Sequence, residues 1–192
     1  GYDNAGLQVG LTETEVSGAL LCLDVTESIV DEALEKRCNL IVSHHPLLFH
    51  AIKTLSDINY VQRTVMKAIE NHVTVVSMHT NLDNAQGGVN FKMAEKIGLE
   101  YVRFFDEKIV DDITSGNGVI GVLPTEMDSM AFIDKVKKVF GVECAQCNQL
   151  LHRKISKVAL CGGAGSFLLD DAIKAGADAF ITGEMHYHEY FG

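Results

Sequence analysis

Ser43-His44-His45-Pro46 places two imidazoles side by side directly after an apolar run, Leu40 to Val42. Adjacent side chains on extended backbone point to opposite sides. Two neighbouring histidines therefore serve a single ion poorly, but each can serve one of two ions. A lone His-His pair is more often a pair of surface or core histidines, and two further motifs shift that balance. His79-Thr80-Asn81-Leu82-Asp83 again follows an apolar run, Val73 to Ser77. Asp83 can bridge two cations through its two oxygens, and His79 is either a ligand or a donor that orients one. A capping Asp or Asn at a strand-to-helix turn is the ordinary alternative. Gly183-Glu184-Met185-His186-Tyr187-His188 follows a third apolar run. Imidazole and carboxylate ligands suit Zn, Mn, Fe or Ni better than thiolate-preferring ions. Two divalent metal ions held close together lower the pKa of a water between them and polarise a substrate oxygen, which serves hydrolysis. On these grounds His44, His45 and Asp83 are the candidate metal ligands, and His79, Glu184 and His188 the candidate catalytic groups. His186 and His188 would share a face if extended, as ligands, as orienting groups or as a polar strand end.

Two other motifs carry less. Cys161-Gly162-Gly163-Ala164-Gly165-Ser166 joins a strand to a helix, where backbone amides can hold phosphate. It lacks the lysine of a P-loop and the spacing of a dinucleotide fingerprint, so a tight turn capped by Ser166 is the expectation. Cys144-Ala145-Gln146-Cys147 has no second pair to complete a zinc site and no redox context, and is read as incidental.

The elements that position these residues come from an internal repeat. Leu20-Leu21-Cys22-Leu23 with Asp31-Glu32-Ala33-Leu34 matches Ala159-Leu160-Cys161-Gly162 with Asp170-Asp171-Ala172-Ile173 without a gap. Cys22 and Cys161, Ala33 and Ala172, and Ser43 and Thr182 each lie 139 positions apart, which also pairs His45 with Glu184. Each copy reads as strand, helix, strand. Near-continuous apolar strands around one helix indicate a βαβ unit in a mainly parallel sheet covered on both faces. The fold class is therefore α/β, two repeated βαβ-containing halves with mainly parallel sheets flanked by helices. Ligands in such sheets gather beyond the carboxyl ends of the strands, where all three motifs lie.

Between the copies the pattern predicts a helix from Val61 to Glu70, a strand from Val73 to Met78, and a helix from Asn90 to Ile97 stopped by Gly98. A strand follows from Val119 to Leu123. Asp128 then caps a helix whose Met130, Phe132, Ile133, Val136, Val139 and Phe140 recur at helical spacing up to Gly141. The polar, glycine-bearing stretch 106–118 reads as a linker, giving a first half over 1–105 and a second over 119–192. The repeat also leaves the strand that ends in His79 and Asp83 without a counterpart, which would fall beyond Gly192. On that basis a full-length protein is expected to bind two ions, and a chain ending at Gly192 at most one.

Composition bounds the function. The chain has 192 residues, 47% hydrophobic and 22% charged, the balance of a globular protein with a real core. A formal net charge of −10 repels polyanions, so general nucleic-acid binding is not expected. A bound cation could still create a local anion site. No apolar run approaches the ~18 consecutive residues of a membrane helix. No secretory or transit segment is read at the start, and five cysteines, odd in number, suit a reducing cytoplasm.

Taken together, Asp3-Asn4 with Gly6-Leu7-Gln8, Ser43-His44-His45-Pro46, His79-Thr80-Asn81-Leu82-Asp83, Cys161-Gly162-Gly163 and Thr182-Gly183-Glu184-Met185-His186-Tyr187-His188 resemble the type-2 GTP cyclohydrolase I homologues, the Nif-three-like dinuclear metal-centre proteins. The likeness runs nearly end to end. It implies a two-domain α/β fold assembled into a ring-like homohexamer with its metal sites facing an inner cavity. It also implies that His44, His45 and Asp83 are ligands, together with a later histidine and glutamate in a Gly-His-x-x-Ser-Glu-like motif. That motif is absent here and would lie past Gly192. Some relatives carry an inserted domain near Asp106 to Asp112, where this sequence has a short stretch. The implied activity is opening of the guanine ring of GTP, while a two-metal centre would equally support phosphoester or amide hydrolysis of a nucleotide or other small molecule. A non-catalytic metal-bearing oligomeric scaffold or regulatory adaptor is the alternative.

Overall fold

The computed structural model describes residues 3–191 and divides into two compact units, Gly1–Leu82 and Asp83–Gly192. In the first unit, β1 (Gly6–Val9) and β2 (Ala19–Cys22) precede α1 (Glu27–Glu35), β3 (Leu40–Ser43), α2 (Tyr60–Glu70) and β4 (Thr74–Ser77). The one-turn α3 (Thr80–Asp83) spans the point of division. The sheet order is β1-β4-β3-β2, with β2, β3 and β4 parallel and β1 antiparallel to β4. Both longer helices start on a side-chain cap. Thr26 accepts from the Ile29 amide and Asn59 from the Gln62 amide, satisfying donors that have no partner within the helix. The core lies on one face of the sheet, where Ile41 and Val75 pack with Val30 and Ala33 of α1 and Val65 and Ala68 of α2. On the other face Leu40, Val42 and Val76 are half-buried and Leu21 is 75% exposed. Among the described residues this sheet is thus covered more fully on one side than on the other.

The second unit holds α4 (Val89–Ile97), β5 (Glu100–Phe104), β6 (Glu107–Val110), β7 (Ile113–Gly116), β8 (Val119–Asp128), α5 (Ser129–Phe140), β9 (Lys154–Cys161), α6 (Leu169–Lys174) and β10 (Ala179–Thr182). A 3₁₀ turn, Ser166–Leu168, leads into α6, and another, Tyr187–Tyr190, follows β10. The sheet order is β10-β9-β8-β5. β10 is parallel to β9, and β8 is antiparallel to both of its neighbours. Helices cover both faces: α4 and α5 pack over Val119, Val158 and Leu160, while Ala172 of α6 packs over Ile120 and Ala159.

The repeat is visible in the hydrogen-bond register. Ala19 pairs with Leu40 and Cys22 with Ser43, while Val158 pairs with Ala179 and Cys161 with Thr182, each pair displaced by the same 139 positions. Several details differ from the expectations above. The stretch 106–118, read as a linker, forms the β6-β7 hairpin, and the compact units part at Leu82 and Asp83 instead. β8 runs on to Asp128, past a bulge between Val122 and Met127. Asp128 holds the cap position of α5, but its carboxylate pairs with Lys154 at 3.0 Å instead of accepting a helix amide. The cap before the second βα turn is Gly165, and Ser166 is the first residue of the 3₁₀ turn.

Candidate metal centre

β3 and β4 are parallel neighbours in register, with Ser43 opposite Ser77, so the segments leaving them emerge at one edge. His44 and His45 continue β3 for two residues: their amides donate to the carbonyls of Cys22 and Leu23 at 3.1 and 2.9 Å. Beneath them Ser43 and Ser77 are buried, with hydroxyls 2.8 Å apart. The Ser43 hydroxyl donates to the His45 carbonyl at 2.9 Å, and Ser77 reaches the same carbonyl at 3.3 Å. A buried hydroxyl without a partner is costly, and here the pair meets that need by holding the backbone that carries His45.

His79 follows β4 and joins this pair. The ring centroids of His44 and His45 lie 4.8 Å apart, those of His44 and His79 5.4 Å, and those of His45 and His79 5.8 Å. One ring nitrogen from each comes within 4.8 Å of the others. Among the described residues this is the group of three or more His, Cys, Asp or Glu side chains that gathers so closely. Two nitrogens bound to one tetrahedral zinc at about 2.1 Å lie roughly 3.4 Å apart. The observed spread fits ligands that close inward slightly on one ion, or that divide between two. Three imidazoles also match the borderline divalent ions in chemical preference.

Two carboxylates complete the arrangement. The Nδ1 atom of His45 lies 2.8 Å from Asp24, and that of His79 lies 2.7 Å from Asp3, which also accepts from the Thr80 hydroxyl. The Asp3 carboxyl sits below the ordinary carboxylate range. Burial is the largest single influence and pushes it up, but the hydrogen bonds from Thr80 and His79 and the nearby imidazole together outweigh it. Asn4 donates to the Leu48 carbonyl at 2.7 Å, and Gln8 accepts from the Leu48 amide at 3.1 Å. The N-terminal motif thus fastens the loop that follows the histidine pair.

The other sequence candidates lie in or at the edge of the second unit. Asp83 ends α3, one turn after His79, and is half-buried. Its carbonyl accepts from Asn90, and its charge acts on Cys161 at the carboxyl end of β9. Asn90 is fully buried and also accepts from the Gly162 amide at 2.8 Å. Glu184 is exposed, and its amide donates to the Gly163 carbonyl at 3.0 Å. The rings of His186 and His188 stack with centroids 5.9 Å apart. The Glu189 carboxyl sits low, chiefly because it accepts from the His186 amide and also from Ser166. The structure therefore gathers His44, His45 and His79 into one cluster in the first unit, and leaves Glu184 and His188 in the second. Sequence reasoning passed over Asp24, although it lies directly past the Leu20–Leu23 run, at the same kind of strand end that drew attention to His44. Asp3 was noted only within a motif.

Comparison with known proteins gives a consistent picture. The family model described as Duf34/NIF3 (NGG1p interacting factor 3) matches residues 1–192. A Clostridium perfringens protein named GTP cyclohydrolase 1 type 2 homolog is 36% identical over 188 residues, covering 98% of this chain and 71% of that protein. A Clostridium acetobutylicum protein of the same name is 32% identical, over 97% of this chain and 70% of its own length. Among solved structures, a Bacillus cereus protein related to NIF3 superposes with a TM-score of 0.89 at 26% identity, covering 99% of this chain and 79% of that one.

Proposed function

Because the chain belongs to the Duf34/NIF3 family, we propose that the full-length protein is a metal-binding protein of hydrolase type, holding two divalent ions and acting on a nucleotide or another small molecule. The observation that supports this is the convergence of His44, His45 and His79 within 4.8 Å at the carboxyl edge of two parallel strands. His44 and His45 are the ligands in this reading, and Asp83 supplies the carboxylate that can span two ions. A bound pair of divalent ions would supply a more acidic water and a Lewis acid for a substrate oxygen.

The chain's own residues do the rest. Ser43 and Ser77 hold the His45 backbone still. His79, with Nδ1 committed to Asp3, presents Nε2 to take up or return a proton. Glu184 and His188, which follow the strand that repeats β3, are assigned as further proton-handling groups. The protein is proposed to act as a homohexamer in the cytoplasm. Its five cysteines are free, and among the described residues no helix is long and apolar enough to cross a membrane.

Metal analysis after loading with zinc or manganese and dialysis, followed by turnover of a nucleotide panel that includes GTP, tests this reading. Wild type is expected to retain metal and to hydrolyse at least one member of the panel. His45→Ala and Asp83→Ala are expected to lose metal and most of the turnover. Retention of the full metal content by both variants would overturn the ligand assignment. Full metal content in wild type with no turnover of any member would overturn the hydrolase assignment and favour a scaffold or adaptor.

A further inference from the structure

We infer that Asp24 and Asp3 are positioning residues that fix the tautomers of His45 and His79, so that each ring turns a proton-free Nε2 toward the cluster. This inference rests on the proposed metal-binding role of the cluster.

The argument starts from the chemistry of the two contacts. An ionised carboxylate has only acceptor capacity, so in a pair between a carboxylate and a neutral imidazole the proton sits on the ring nitrogen. At 2.8 Å from Asp24, Nδ1 of His45 is that nitrogen, and at 2.7 Å from Asp3 so is Nδ1 of His79. A neutral imidazole carries one proton. With Nδ1 protonated, the lone pair available to an ion is on Nε2, and the hydrogen bond also sets the rotation of the ring. Asp3 is itself held by the Thr80 hydroxyl, next to His79 in the chain. Its grip on His79 is therefore supported from a second side.

The internal repeat supplies an independent comparison. In both copies the hydroxyl residue that ends the second strand reaches the carbonyl two residues on, Ser43 to His45 at 2.9 Å and Thr182 to Glu184 at 3.4 Å, although the Thr182 hydroxyl lies closer to the Gly163 carbonyl, at 3.0 Å. The strands that lead into the two turns pair identically, displaced by 139 positions, but the turns differ: the His44 and His45 amides donate to the Cys22 and Leu23 carbonyls, whereas the Gly183 and Glu184 amides both donate to Gly163. Position 24 in the first copy corresponds to position 163 in the second, which is Gly163, with no side chain, and position 45 corresponds to Glu184. Where the turn carries an imidazole, whose binding nitrogen depends on tautomer, a carboxylate stands opposite it. Where the turn carries a carboxylate, which has no tautomer to set, that position is glycine, and its carbonyl accepts from the Gly183 and Glu184 amides.

The test uses the full chain labelled with ¹⁵N-histidine and freed of metal. Long-range ¹H–¹⁵N spectra at about pH 8.5, above the ordinary imidazole range, report which ring nitrogen is protonated. In wild type, His45 and His79 are expected to be in the Nδ1–H form. Asp24→Asn is expected to move His45 toward the Nε2–H form and leave His79 unchanged, and Asp3→Asn to do the reverse. Zinc titration of the same proteins is expected to show affinity reduced about 10–100-fold by Asp24→Asn, which acts on the ligand His45, and little changed by Asp3→Asn, which acts on the proton-handling His79. Asp171→Asn, which removes an exposed partner of Lys174, is expected to leave both readouts unchanged. Circular dichroism checks that the variants are folded, and Asp24→Ala serves as a second variant should Asp24→Asn fail to fold. His45 found in the Nε2–H form in wild type, or a tautomer unmoved by either Asp24 variant, overturns the inference. If wild type takes up no zinc while the tautomers shift as expected, the metal-binding reading fails and the positioning of the rings by Asp24 and Asp3 stands.

Discussion

The side chains around the two strand ends differ sharply in how easily they can be ionised, and that difference can be measured. Burial, and then the charge of Asp83, push the Cys161 thiol from its ordinary 9.0 up to about 11. The fold therefore favours the protonated thiol. Its contribution to stability is fully present below pH 9.0 and is lost as pH rises toward about 11. Unfolding curves between those limits are expected to show wild type losing stability with pH more steeply than Cys161→Ala, and identical slopes would remove this account. Cys144 and Cys147 are exposed. Iodoacetamide at about pH 8, read by mass spectrometry, is expected to modify them while sparing Cys161, because the thiolate is the reactive form. Equal labelling of all three would show that Cys161 is neither buried nor held protonated in solution.

At the scale of elements, alternation along β2 and β3 decides which residues carry stability. Ile41 is fully buried under α1 and α2, whereas Leu21 on the opposite face is 75% exposed. Ile41→Ala is expected to cost about 2–5 kcal/mol in chemical denaturation, and Leu21→Ala within about 0.5 kcal/mol. A large cost at Leu21 would mean that its face is covered in solution. The helices were readable in the sequence because their signals are local. The period of α5 and the left-handed Gly141 after it, like Gly98 after α4, act within a turn or two of chain. β1 and β5 were not read. β1, Gly6-Leu7-Gln8-Val9, carries no apolar run, and β5 is broken by Tyr101 at φ +53 and a register shift that disrupts any period of two. The hairpin at 106–118 was missed because its polar strands pair mainly with each other and bury little, so they lack an apolar pattern.

At the scale of the whole molecule, the net charge of −10 sets a field that opposes polyanions, and any anion site must be local. The proposed hexamer predicts a light-scattering mass six times the 21.0 kDa of the chain, and a mass equal to one chain would remove that assembly. The sequence by itself determined the fold class, the repeated strand-helix-strand unit and the fact that both histidine motifs leave apolar strands, because periodicity, caps and an ungapped offset are all recorded along the chain. It also carried the family likeness that the comparisons support. Only the tertiary structure decided that β3 and β4 lie side by side in register, which brings His79 to His44 and His45. It also decided that Asp3 meets His79 across 76 positions and Asp24 meets His45 across 21. A hydrogen bond depends on distance in space, and strand pairing sets that distance between segments whose separation along the chain says nothing of it.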